Sequence, residues 1–145
     1  MLYSKSHMFT GIIRELGTIT KKQKRDNGLR FNIRSTKLHP KLGDSISVNG
    51  VCLTVTARNK NTFMVDVVKE TIRRAHFDTL HAGNTVNLEP SLKLGDTLDG
   101  HLVLGHVDGV GKVVVFTPTK VTIAFSQKLA TFIVEKGSIT LNGVS

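Results

Sequence analysis

The segment Gly100-His101-Leu102-Val103-Leu104-Gly105-His106-Val107-Asp108-Gly109-Val110-Gly111 places two imidazoles among four glycines. Paired histidines suggest a metal first, but helical zinc ligands stand three or four residues apart. Here the spacing is five, with β-type residues between. On a regular strand that separation sends the two side chains to opposite faces, so no metal is expected. The glycines do not form a phosphate loop, since the Gly-Lys-Ser/Thr ending is missing. What remains is a bent strand with two solvent-facing histidines, or one approached closely by a ligand or another backbone.

Asn49-Gly50-Val51-Cys52-Leu53-Thr54-Val55-Thr56 is the second candidate. Asn-Gly is a strong tight-hairpin signal, and the residues after it alternate. Cys52, Thr54 and Thr56 share one face of the strand and Val51, Leu53 and Val55 the other. This is a polar binding wall, or a small buried cysteine with two ordinary strand threonines. A third polar cluster, Lys69-Glu70-Thr71, follows a long apolar run and reads as a helix start.

Strands must position these groups. Arg30 to Arg34, Ser45 to Val48, Thr62 to Val68 and Val86 to Glu89 alternate, and Val113 to Phe116 and Val121 to Phe125 are short apolar runs. Turn residues separate them at Asp26-Asn27-Gly28, His39-Pro40, Gly43-Asp44, Asn59-Lys60-Asn61 and Ala82-Gly83-Asn84. Thr71 to Leu80 predicts a short helix, Thr36 to Lys41 a weaker one, and Gln127 to Lys136 a helix ending before Gly137. Lys21 to Arg25 is expected in a turn.

The chain also repeats itself. Phe9-Thr10-Gly11-Ile12-Ile13 is echoed 94 residues later by Val103-Leu104-Gly105-His106-Val107. Ser45-Ile46-Ser47-Val48-Asn49-Gly50-Val51-Cys52 is echoed at a spacing of 93 by Ser138-Ile139-Thr140-Leu141-Asn142-Gly143-Val144-Ser145. Such a period fits a duplicated small domain. The expectation is an N-terminal extension at residues 1–7, a natural start at Met8, a first barrel at 8–95 and an incomplete second one at 96–145.

Composition narrows the function classes. Net charge is +9, from 20 Lys+Arg against 11 Asp+Glu, yet there is no Trp and only one Tyr to stack bases. A nucleic-acid surface is therefore disfavoured, and no apolar run reaches the ~18 residues of a membrane span. A single cysteine, Cys52, excludes an internal disulfide and fits a cytoplasmic protein.

Met8-Phe9-Thr10-Gly11-Ile12-Ile13, Asn49 to Val55, Lys69-Glu70-Thr71, Gly100 to Asp108 and Lys136-Gly137-Ser138-Ile139 together resemble the riboflavin synthase alpha-chain family, in its order and spacing. Leu104, in place of a small polar residue, and Asp99, in place of a glycine, depart from the family pattern. The resemblance implies an all-β fold of two six-stranded antiparallel Greek-key barrels with short helices, and a homotrimer with active sites between subunits. It implies dismutation of two 6,7-dimethyl-8-ribityllumazine molecules to riboflavin and 5-amino-6-ribitylamino-pyrimidinedione, without metal or redox cofactor. A non-catalytic lumazine- or flavin-binding protein, or an inactive truncated fragment, is the alternative.

Carried over residue by residue, the resemblance puts Gly11, Ile12, Ile13, Cys52, Leu53, Thr54, Asp66, Val67, Val68, Lys69, Glu70 and Thr71 around the ligand of the first barrel. Gly105, His106 and Val107 meet a substrate near the junction, and Lys136 and Ser145 begin the second site. Cys52, Ser45, Thr54, His101 and His106 are the polar candidates for proton transfer at the acidic 7-methyl group and addition at the ring.

Overall fold

Period-two alternation turns six segments into strands that share one filled interior. The computed structural model describes residues 7–145, so of the expected extension only His7 falls among the described residues. The strands are β1 (Glu15–Arg25), β2 (Gly28–Arg34), β3 (Ser45–Val48), β4 (Val51–Asn59), β5 (Thr62–Val68) and β6 (Thr85–Pro90). They close into an antiparallel Greek-key barrel in the order β1-β2-β5-β4-β3-β6. Closure leaves no free sheet edge, and six strands enclose only enough space for side chains. Ile19, Phe31, Ile33, Ile46, Val48, Val51, Leu53, Val55, Phe63, Val65, Val67, Val86 and Leu88 fill it. Each contributes roughly 1.5–3 kcal/mol by leaving water. The Asn49-Gly50 turn joins β3 to β4 with φ of 50° and 85°, the left-handed pair that matches strand twist.

One end of the barrel is plugged by a helix and a tight turn. α1 (Lys69–Ala75) starts two residues before the expected helix and stops at His76, whose φ is 51°. That left-handed residue swings Phe77 inward, edge-to-face on Phe31 with centroids 5.8 Å apart. A single 3-10 turn, Phe77–Thr79, completes the plug.

Three expectations are corrected. Lys21 to Arg25 is no turn but the second half of β1, paired from Lys21–Asn32 to Arg25–Gly28. A register shift between Ile19 and Lys21 lets the strand continue after its inward alternation fades, so β2 and not local pattern selects it. Thr36 to Lys41 forms no helix. Its amides at Thr36, Lys37 and Leu38 turn onto the Glu15 carboxylate at 2.6, 3.1 and 2.8 Å, and Pro40, which has no N–H and disfavours a helical His39, stops that turn from continuing as a helix. Gln127 to Lys136 shortens to a 3-10 stretch, Gln127–Phe132, in which no residue is buried. Without an apolar face to bury, so short a helix is not held.

The second copy contributes a hairpin of β7 (Gly111–Thr117) and β8 (Lys120–Phe125). Phe116 is 79% and Phe132 74% exposed, while Val113, Val115, Val121 and Phe125 are also exposed. Among the described residues no helix is long and apolar enough to cross a membrane.

Candidate ligand site

Because the barrel interior is full, the polar alternates of its strands face outward, and any ligand must lie against the outer wall. On β4 the outward residues are Cys52, Thr54 and Thr56, and on β5 they include Asp66 and Val68. Leu53 (6% exposed) and Val67 (1%) point into the core, so only their backbone can meet a ligand. The ladder joining β4 to β5 runs from Asn59–Thr62 to Val55–Val65 and stops there. The seam between Cys52–Thr54 and Asp66–Val68 therefore carries no continuing strand pairing.

A two-stranded strap crosses this wall. Phe9 and Val103 exchange backbone hydrogen bonds at 2.8 and 3.0 Å, and the His101 amide donates to the Thr10 carbonyl at 3.1 Å. Glu89, only 3% exposed, holds the strap down. Its carboxylate accepts from the Thr10 amide and hydroxyl at 2.6 and 2.8 Å and from the Gly11 amide at 3.1 Å. Beyond the Phe9–Val103 pair the two chains part to opposite sides. The Cys52 amide donates to the Gly105 carbonyl at 2.8 Å, and the Ser145 amide donates to the Gly11 carbonyl, also at 2.8 Å. Since Gly11 matches Gly105 and Cys52 matches Ser145 in the repeat, the copies exchange equivalent contacts about a local two-fold relation. Gly50 and Gly143 touch across it, each within 3 Å of where the other's Cβ would point.

This crossing regroups the expected residues. Gly11, Ile12 and Ile13 do not share the Cys52 wall: Gly11 lies on Ser145, Ile13 faces Gly143 and Ile12 faces Gly100. The Cys52 wall receives Gly105 of the second copy instead, while Val107 packs on the core. Both strap glycines have positive φ, 77° and 71°, and a Cβ on them would stand 2.5 Å from the Ser145 Cβ and 2.7 Å from the Cys52 Cβ. Only glycine satisfies the bend and the approach together.

The two histidines do not converge. His101 Nδ1 lies 2.5 Å from Ser145 Oγ and its Nε2 lies 3.2 Å from Thr140 Oγ1, so the imidazole bridges two hydroxyls of the second copy. Both ring nitrogens are thereby engaged, one as donor and the other as acceptor. His106 is exposed beside Gly105, and the segment 104–110 forms no regular strand. Lys136, with φ of 62°, is exposed.

Electrostatics sorts the remaining groups. Burial pushes the Cys52 thiol up, and a hydrogen bond with Ser45 only partly opposes this, so the thiol stays protonated at neutral pH. Ser45 itself is 4% exposed and sits behind the wall. Asp66 is clamped by Arg30 of β2, with Nε–Oδ1 and Nη2–Oδ2 both at 2.6 Å. That guanidinium holds the Asp66 carboxyl below the usual carboxylate range despite partial burial. Glu70 is exposed on α1 and shared by Arg73 at 3.0 Å and Arg74 at 2.6 Å, which lower its pKa in turn. Lys69 is exposed and Thr71 half-buried next to it.

Sequence reasoning missed Arg30, Glu89 and Thr140. Arg30 and Asp66 are cross-strand partners on β2 and β5, which neighbour each other in space but not in the chain. Thr140 had a usable signal, because the repeat aligns it with Ser47, and Ser47 is paired with Cys52.

A family model described as a lumazine binding domain matches residues 10–91 and again 104–145. The riboflavin synthase of Actinobacillus pleuropneumoniae is 43% identical over 144 residues, covering 95% of this chain and 67% of that protein. Those of Mycobacterium tuberculosis H37Rv and Bacillus subtilis 168 are each 41% identical, with 72% and 67% of their lengths covered. Among solved structures, LumP complexed with riboflavin matches with a TM-score of 0.85 at 30% identity, over 94% of this chain and 77% of that one. LumP complexed with 6,7-dimethyl-8-(1'-D-ribityl) lumazine matches at 0.80 and 29%, over 94% and 76%, and LumP complexed with flavin mononucleotide at 0.79 and 30%, over the same shares. With the lumazine-binding model matched in both copies and close relatives along nearly all of its length, this chain belongs to the riboflavin synthase family of lumazine-binding barrel proteins.

Proposed function

We propose that this chain carries the ligand walls of a riboflavin synthase, a transferase that dismutates two 6,7-dimethyl-8-ribityllumazine molecules. A four-carbon unit passes from one lumazine to the other, yielding riboflavin and 5-amino-6-ribitylamino-pyrimidinedione, with no cofactor consumed. The observation that carries this reading is the exchanged pair of strap contacts, Gly105 on Cys52 and Gly11 on Ser145. A reaction that joins two identical molecules needs two equivalent walls, and the repeat supplies them as 8–95 and 96–145.

In the first wall the unpaired seam between Thr54 and Asp66 suits a flat heteroaromatic imide, whose donors and acceptors can use strand backbone groups. Thr54, Asp66, Val68, Lys69, Glu70 and Thr71 surround it, with Cys52 and Gly105 closing one end. In the second wall Gly11, Ile12, Ile13, Lys136 and Ser145 take the matching part. His101, held between Ser145 and Thr140, is the proton acceptor for the acidic 7-methyl group. Cys52, kept protonated, acts as a neutral wall group and Ser45 positions it. His106 and Thr54 remain the outer polar groups nearest the strap. The apolar side chains exposed on β7 and β8 suit association into a homotrimer in the cytoplasm.

Incubation with the lumazine, followed by riboflavin fluorescence and chromatography of the pyrimidinedione, tests the proposal. Equimolar formation of both products is expected, and His101→Gln should abolish it while lumazine fluorescence is still quenched. The likeness to LumP supports a second reading, a lumazine- or flavin-binding protein without turnover. Stoichiometric quenching with no riboflavin formed would establish that reading in place of the first.

A further inference from the structure

We propose that residues 96–145 are a docking surface for a second copy of this chain, and that two such halves close together into one six-stranded barrel. The first barrel shows why two halves suffice. Its neighbouring strands are β1–β2, β2–β5, β5–β4, β4–β3, β3–β6 and β6–β1, all antiparallel. Exchanging β1, β2 and β3 for β4, β5 and β6 returns the same six neighbours. The barrel is therefore built of two topologically identical three-stranded halves, arranged as a two-fold axis would arrange them. Residues 96–145 supply one such half. β7 matches β1 and β8 matches β2, down to the register shift, which falls between Ile19 and Lys21 in one copy and between Val113 and Val115 in the other. Residues 138–141 match β3, and their Leu141–Val144 bridge matches the Val48–Val51 pair.

The interior positions of this half have no interior. Ile19, Ile46 and Val48 are 0–1% exposed, whereas the matched Val113, Ile139 and Leu141 are 43–54% exposed. β7 and β8 pair only with each other, so both outer edges of the hairpin are free. Free edges are commonly blunted by charge or proline, yet β8 carries one charge, Lys120, and no proline. Apolar side chains of 96–145 expose on the order of 1,000 Å², against the ~800 Å² per partner of a standard specific interface. Charge favours a like half over the basic first barrel as occupant. Residues 96–145 hold four lysines against three aspartates and one glutamate, so the net charge of +9 resides entirely in residues 1–95. Two neutral halves meet without repulsion, while two basic barrels keep apart. The pairing is also self-limiting. β8 meets β8, 138–141 meets 138–141, and β7 meets the other chain's 138–141, which leaves no edge for a third copy.

Sedimentation equilibrium of the 145-residue chain should give twice its 15.9 kDa. A homotrimer would use the same apolar face, so copy number separates the two assemblies. Three copies, a persistent monomer or open-ended aggregates would each overturn the pairing. Hydrogen exchange should find β7 and β8 fast in the dilute monomer and slow in the dimer, with β2, β4 and β5 slow in both. Val113→Asp sets a carboxylate inside the closed barrel and should weaken pairing by roughly a hundredfold or more. Slow amides on β2, β4 and β5 would show that the first barrel of this variant is folded, and wild-type pairing by it would overturn the proposal. A nitroxide on Thr122→Cys in a Cys52→Ser background reports the geometry. Six-residue strands paired antiparallel over at least half their length bring the two label sites within ~15 Å, from a rise of ~3.3 Å and a strand spacing of ~4.8 Å. Strong dipolar broadening is expected in the dimer. A dimer without it joins through another surface, and the half-barrel closure falls.

Discussion

Replacing Gly105 with alanine tests the strap and the wall at once. The new Cβ would stand 2.7 Å from the Cys52 Cβ, 2.9 Å from Phe9 Cε2 and 3.1 Å from the Cys52 amide nitrogen. Neither Cys52 Cβ nor the backbone can give way, because β4 is held on its other side by β3. Alanine also carries a penalty of ~1 kcal/mol or somewhat more at a φ of 71°. If the strap lifts to relieve the contact, the 2.8 Å bond from the Cys52 amide to Gly105 is lost, at ~1 kcal/mol. The expected destabilisation is therefore ~2–3 kcal/mol, read as a lower urea midpoint with an unchanged slope, since the barrel interior is untouched. Lumazine or riboflavin quenching should weaken by roughly tenfold or more, because the end of the wall moves. Gly11→Ala, whose Cβ would meet Ser145 at 2.5 Å, should lower stability comparably. Its binding defect should fall on the second wall. A Gly105→Ala protein with wild-type midpoint and affinity would refute the claim that close approach fixes the strap.

Three further outcomes follow from the same geometry. Glu15 is buried, which raises its pKa, but bonds from Ser35, Thr36, Leu38 and Lys37 outweigh that and bring it from 4.5 to about 2. A depressed folded pKa stabilises above pH 4.5 and is lost as pH falls from 4.5 toward 2, so Glu15→Gln should cost ~3 kcal/mol at neutral pH and flatten the acid side of a stability–pH curve. Cys52→Ser should retain ligand binding within about threefold by quenching titration, since a half-buried protonated thiol is replaced by the hydroxyl that Ser145 already supplies in the second copy; complete loss of binding in a folded variant would assign the sulfur a covalent part. Hydrogen exchange should separate the two copies, with slow amides on β2, β4 and β5 and fast ones on β7 and β8, whose side chains are largely exposed; equal protection would contradict the burial pattern.

Local pattern determined a good deal of this protein by itself. Alternation in Arg30 to Arg34 and Thr62 to Val68 marks the strands and which residues face inward, because successive side chains must point to opposite sides. Asn49-Gly50 specifies the hairpin because its two residues tolerate positive φ. The repeat announces two copies of one domain, and the motifs identify the family. Pattern also misled where a partner decides the outcome: Lys21 to Arg25 extends along β2, and Thr36 to Leu38 wraps a carboxylate. The tertiary structure alone decided the rest. Glu89 meets Thr10 across 79 residues, His101 meets Ser145 across 44, and Arg30 meets Asp66 across 36. Period two encodes the face a side chain takes but carries no information about which distant strand lies beside it. Barrel closure and the crossing of the two copies set those neighbours, so Gly11 belongs with Ser145 and Gly105 with Cys52, a pairing that only packing backbone against backbone could produce.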